Sequence, residues 1–225
     1  MDGILLVDKP QVWTSHDVVA KVRSILKNQT SQKVKVGHTG TLDPMATGLL
    51  VLVLGNYTKR ASEFSKLDKV YEAEITLGTT SLTGDKEGEL TKKNGKKPTK
   101  QAVTAVLSGL EGEILQKPHK YSAVKIAGQR AYKAARAGKA VEIEPRKVKI
   151  YGITDVKYDY PNLSFTAKVS SGTYIRSLAE DIGAALGTGA YLSALRRTQV
   201  GDFKIEQAIA TENLDFQTIL KHLAN

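Results

Sequence analysis

Apolar residues recur along this chain in two rhythms, one helical and one alternating, and the changes between them mark out the elements. Gly3 to Asp8 is a short apolar run closed by Lys9-Pro10 and predicts a buried strand. Val18, Val19, Val22, Ile25 and Leu26 then share one helical face, with Thr14 or Ser15 placed to cap it. Asp17, three residues after Thr14, completes a capping box and suits the positive end of the helix dipole. Leu49 to Leu54 is apolar at every position and must be buried. A short helix is expected over 58–67. Val70 to Leu77 alternates, which puts Tyr71, Ala73, Ile75 and Leu77 on the inward face of a half-buried strand.

Asp85 to Lys100 is lysine-rich with interspersed glycines and predicts an exposed loop. Thr99 caps a helix carrying Val103, Val106, Leu107 and Leu110, which Gly112 ends. Residues 128–136 have an amphipathic helical pattern. Lys147 to Tyr158 and Leu163 to Ser170 read as an antiparallel strand pair around the turn Asp159-Tyr160-Pro161-Asn162. Three more helices are expected, over 177–186, 192–197 and 211–223. No internal repeat and no clean linker interrupts the chain, so residues 1–225 predict a single domain of mixed α and β.

Composition then narrows the chemistry. There is no cysteine, and the four histidines (His16, His38, His119, His222) are scattered with no H-E-x-x-H pair. Disulfides and thiolate sites are excluded, and no metal is expected. Neither a phosphate-binding G-x-x-x-x-G-K-[ST] loop nor a G-x-S-x-G elbow occurs, so no cofactor is expected. The longest apolar stretch is too short to span a membrane, which favours a cytoplasmic protein. The net charge of +10 is unevenly spread. Ten basic residues lie between Lys117 and Lys149, opposed only by Glu142 and Glu144. With Tyr121 and Tyr132 interleaved, this segment suits RNA, where phosphate attraction combines with stacking.

Two places hold candidate chemistry. Gly37-His38-Thr39-Gly40-Thr41-Leu42-Asp43-Pro44-Met45-Ala46-Thr47-Gly48-Leu49-Leu50 sets a carboxylate on a stiff turn, because Pro44 turns Asp43 away from helical backbone. Taken alone, such an aspartate is more often a turn former than a catalyst. Arg176 stands at the start of a helix, an unfavourable position for a cation, and calls for a specific anionic partner. The residues by themselves support a basic RNA-binding protein. They leave open a non-catalytic RNA-binding module and, through a carboxylate such as Asp43, a glycosidic hydrolase.

In order along the chain, Lys9-Pro10 with Thr14-Ser15, GHTGTLDPMATGLL, Lys69-Val70-Tyr71, Tyr121-Ser122-Ala123-Val124-Lys125, SGTYIRSLAEDIG from Ser171 and Leu195-Arg196-Arg197 resemble the TruB family of tRNA pseudouridine-55 synthases. The resemblance runs from Gly3 to about Val200. It implies an α+β pseudouridine-synthase fold: a mixed, mainly antiparallel central sheet flanked by helices, with a basic thumb-like arm over about 117–149. It also implies isomerisation of one uridine in the TΨC stem-loop of tRNA, without cofactor; a monomer is the default expectation. Asp43 matches the catalytic aspartate, which acts on the ribose as nucleophile or as base. Tyr71 matches the tyrosine that stacks on the base and takes the C5 proton. Arg176 matches the arginine paired with that aspartate, where it would favour the ionised carboxylate. Leu195 matches the apolar residue against the target base, and His38 one that contacts the remodelled loop. Lys9, Tyr121, Lys125, Arg130 and Tyr174 are further expected RNA contacts.

The chain departs from the pattern in three places. Val12-Trp13 stands where a glycine and a small or flexible residue are usual, so a different turn is expected before Thr14. His119-Lys120 replaces a proline-rich lead-in to the tyrosine motif. The family's further C-terminal RNA-binding domain, of PUA type, is expected to be absent.

Overall fold

Thr14 starts the first helix as its sequence predicts. Its hydroxyl accepts from the Asp17 amide at 3.1 Å, and the Asp17 carboxylate accepts from the Thr14 amide at 2.7 Å. The computed structural model describes residues 1–31, 33–93, 95, 97–119 and 143–224, together with the backbone of 125–126 and 129–130. In chain order the elements begin with β1 (Gly3–Lys9), α1 (Ser15–Thr30), β2 (Val36–His38), β3 (Thr47–Leu54), α2 (Ala61–Ser65), β4 (Lys69–Leu77), β5 (Thr79–Ser81) and β6 (Leu90–Lys92). Then come α3 (Lys100–Gly109), β7 (Gly112–Gln116), β8 (Lys125–Ile126), β9 (Gln129–Arg130), β10 (Arg146–Asp159) and β11 (Asn162–Val169). The last are α4 (Ile175–Ala185), β12 (Ala190–Val200), β13 (Phe203–Lys204), β14 (Ile209–Ala210) and α5 (Phe216–His222). The fold is α+β with a mainly antiparallel sheet, as expected. No helix among the described residues is long and apolar enough to cross a membrane.

The chain divides into two compact units, Met1–Tyr71 with Arg196–Asn225, and Glu72–Leu195. In the first, β1 and β2 pair antiparallel with β3, while β14 joins β1 and β12 joins β3 in parallel. This explains the unbroken apolar run at Leu49–Leu54. Leu50, Leu52 and Leu54 pack with α1 through Val18, Val22 and Leu26. Leu49, Val51 and Val53 pack on the other face, against Phe64, Leu67 and Phe203. A strand covered on both sides has no polar face to alternate.

In the second unit β10 pairs antiparallel with β11 on one side and β7 on the other. Tyr71, Ala73, Ile75 and Leu77 of β4 are buried and Glu72 and Glu74 exposed, as the alternation predicts. Thr99 caps α3 by accepting from the Ala102 amide.

Four expectations are corrected. Residues 192–197 lie within strand β12, not a helix. The i, i+3 spacing of Leu192 and Leu195 is helical, but pairing of Arg196 and Arg197 with Thr47 and Gly48 makes the segment a strand. The C-terminal helix is shorter than 211–223, because Asp215 breaks the chain after a single 3-10 turn and caps α5 through the Thr218 amide. α3 stops at Gly109, before Gly112. The lysine-rich stretch from Asp85 contains a strand, β6, paired with β5, and Asp85 itself is only 2% exposed. The helix expected over 128–136 falls largely outside the described residues.

Candidate active site

Asp43 is half-buried on a turn whose backbone is held at almost every step. Ahead of it, the Thr39 amide donates to Val51 O at 3.0 Å. The Ser15 hydroxyl brackets Leu42, accepting from its amide at 2.8 Å and donating to its carbonyl at 3.2 Å. After it, Pro44 O accepts from the Val12 amide at 2.8 Å and from Lys9 Nζ at 3.5 Å, and Met45 O accepts from Gln11 Nε2 at 3.4 Å. The turn closes on itself through the Ala46 amide and Asp43 O, at 3.0 Å. Lys9 is fully buried, and its ammonium also donates to Pro10 O and Trp13 O. Such an ammonium supports the turn from below.

Val12, in the same support, has φ 76° and is 79% exposed. This is backbone that glycine enters freely and a β-branched residue does not. Gly48 is the other special position, with φ 103°, where a Cβ would overlap the Arg197 backbone. His38 is half-buried at the end of β2, and Tyr71 is 9% exposed on the inward face of β4.

The second unit holds Arg176 at the first turn of α4, 6% exposed. Its Nη1 donates to Asp85 Oδ2 at 3.2 Å and to Thr83 O at 3.1 Å. Asp85 is satisfied in turn by the Thr83 hydroxyl at 2.6 Å and the Glu87 amide at 3.0 Å. The cation misplaced on the helix dipole therefore has its anion. Tyr174, the residue before α4, is held by the Gln116 side chain, which accepts from its amide at 2.8 Å and donates to its carbonyl at 3.1 Å. The Ser177 hydroxyl donates to Lys117 O at 2.9 Å, and His119 Nε2 lies 3.4 Å from Glu180 Oε1. Burial and the neighbouring Glu180 raise the carboxyl of Asp181 above the usual carboxylate range. Leu195 is half-buried on β12. Tyr121 lies outside the described residues, as do the side chains of Lys125 and Arg130.

Sequence reasoning missed Asp85, Gln116 and the tightness of the Asp43 turn. For Asp85 a signal existed: Arg176 at a helix start demands an anion, and Thr83-Gly84-Asp85 is a turn signature inside a lysine-rich stretch.

A family model described as TruB family pseudouridylate synthase (N terminal domain) matches residues 23–175, and one described as tRNA pseudouridylate synthase B C-terminal domain matches residues 176–222. The chain is 46% identical over 232 residues to the tRNA pseudouridine synthase B of Thermobifida fusca, covering 99% of this chain and 78% of that one. It is 45% identical over 223 residues to the protein of that name from Clostridium kluyveri, covering 99% and 75%. Among solved structures it is similar to a chain of a Cbf5-Nop10-Gar1 complex, with TM-score 0.73 and 33% identity. That match covers 97% of this chain and 55% of the other. A chain of an H/ACA RNP bound to a substrate RNA containing 2'-deoxyuridine is similar with TM-score 0.70 and 32% identity, covering 97% and 54%.

Proposed function

The chain belongs to the TruB family of pseudouridylate synthases, and we propose that it converts uridine 55 in the TΨC arm of tRNA to pseudouridine. The reaction is an isomerisation. The bond from C1' to N1 breaks, the uracil turns while bound, and a bond from C1' to C5 forms; C5 loses a proton and N1 gains one. No electrons are exchanged with a cofactor and no group leaves.

Asp43 acts on the ribose in this proposal, and the observation that carries it is the turn that holds this carboxylate. A reacting group misplaced by 1 Å loses about 100-fold in rate, so the Ser15, Val12 and Lys9 bonds around Asp43 are what a reaction of this kind requires. Tyr71 stacks on the flipped base and takes the C5 proton. Arg176 keeps the aspartate ionised, Leu195 packs on the base, and His38 contacts the RNA loop. Flipping the base costs a few kcal/mol of stacking. The arm of about 117–149, with Tyr121, Lys125 and Arg130, and Tyr174 near its root, offsets that cost with contacts to the RNA. Lys9, buried beneath the turn, supports it through the Pro44, Pro10 and Trp13 carbonyls.

Tritium release from tRNA labelled at uridine C5 tests the reading. The wild type should release the label and Asp43→Asn should lose at least about 10³-fold in rate, within the range of a lost catalytic acid or base, while still binding tRNA. A wild type that binds tRNA and releases no tritium overturns the enzyme reading, and free uracil among the products would replace it with hydrolysis.

A further inference from the structure

The motif Leu195-Arg196-Arg197 contributes one residue, Leu195, to the proposed chemistry, yet the most constrained of the three is Arg197. It is 2% exposed, in β12 opposite Gly48 of β3. Its Nε donates to Leu49 O at 2.8 Å and its Nη2 to Gly40 O at 3.0 Å. Gly40 precedes Asp43 by three residues and Leu49 follows it by six, so one guanidinium ties together the two ends of the turn that carries the carboxylate.

Three further facts show that this tie is built rather than incidental. The Arg197 backbone presses on Gly48, which leaves no room there for a Cβ. A Cβ on Gly40 would lie 3.5 Å from Arg197 Nη1, so the guanidinium lies against the chain at that end too. Lys69 is also buried nearby, and burial together with the Arg197 charge lowers its pKa to about 8. The fold therefore keeps the guanidinium at this spot against a neighbouring cation. Its partners are two carbonyls whose separation the rigid fork sets, a task the single-point ammonium of lysine cannot perform.

We infer that Arg197 is a positioning residue for the reaction: by spanning Gly40 O and Leu49 O it fixes where the Asp43 carboxylate stands. Arg196 does different work on the same strand, pairing with Asp8 at 2.7 Å. The inference rests on the proposed role of Asp43. It predicts a loss of rate without a loss of binding, because the tie touches the turn and not the RNA.

The test uses the full chain with Arg197→Met and Arg197→Lys, reading single-turnover tritium release at saturating tRNA, the Kd for tRNA, and the thermal midpoint. Arg197→Met should lose about 100-fold in single-turnover rate, the scale of a 1 Å misplacement, with Kd within about threefold of wild type. Arg197→Lys, which keeps the charge and one bond, should fall between the two. If Arg197→Met does not fold, Arg197→Lys alone decides: a rate within threefold of wild type overturns the inference. A loss shared equally between rate and Kd, or a rate that recovers fully when corrected for the folded fraction, overturns it as well. Failure of the wild type to release tritium would instead remove the underlying reading of Asp43.

Discussion

Replacing Asp85 with asparagine isolates what the buried pair with Arg176 is worth. The substitution changes charge with almost no change of shape. Both side chains are nearly dry, 3% and 7% exposed, and the charged atoms are 3.2 Å apart. At an effective dielectric of about 20 their gross attraction is about 5 kcal/mol. Breaking a buried pair from one side typically costs about 3–5 kcal/mol. Asparagine can still accept from the Thr83 hydroxyl, so the lower end, about 3 kcal/mol, is expected. With a urea dependence of about 2 kcal/mol per molar, the unfolding midpoint falls by about 1.5 M. Arg176→Met and the double variant complete a thermodynamic cycle, in which a coupling of at least about 2 kcal/mol is expected. Additive effects within about 0.5 kcal/mol, or a single Asp85→Asn that unfolds like wild type, would refute the account of why Arg176 tolerates a helix start.

Two other outcomes follow from positions where the backbone or a charge is held at a cost. Val12→Gly relieves an exposed valine at φ 76° and, after the extra chain entropy of glycine, should stabilise by about 1 kcal/mol, raising Tm by about 2–4 °C; a lower Tm contradicts the strain. Lys69 has a folded-state pKa of about 8 against 10.5 in the free side chain, so between those values the unfolded chain holds the extra proton. Its charged form opposes folding fully below pH 8, and stability rises as pH climbs from 8 to 10.5. Lys69→Met removes that contribution, so the Tm difference between wild type and variant should grow in favour of wild type across this window; parallel profiles would show the amine is not perturbed.

The legible parts of this protein are those where local chemistry and tertiary need coincide. Thr14 and Thr99 cap their helices because the first-turn amides need an acceptor wherever the helix packs. Tyr71 to Leu77 alternates because one face of β4 is buried. β12 was illegible for the opposite reason: over six residues the Leu192–Leu195 spacing is helical, and the pairing partner that overrides it lies about 150 residues earlier. The candidate site divides along the same line. An aspartate before proline in a glycine-rich turn is visible in sequence. The groups that hold it are not, since Lys9, Ser15 and Arg197 all act on backbone atoms, which every residue type offers alike. Asp85 was hidden by the charge balance of its surroundings, because a count of lysines does not reveal an anion whose partner is 91 residues away.

The basic segment has one root for its two ends. Gln116 clasps Tyr174, Ser177 holds Lys117, and a cleft lined by Lys117, Pro118, His119, Ile143, Ser177, Glu180 and Asp181 admits the chain at one end of that segment and receives it back at the other. Entry and exit thus share one anchorage on α4, independent of what lies between. Whatever joins His119 to Ile143, Arg176 one turn away stays in register with Asp85. The two ends of the segment thus share one socket, and the arginine beside it is held from the other side.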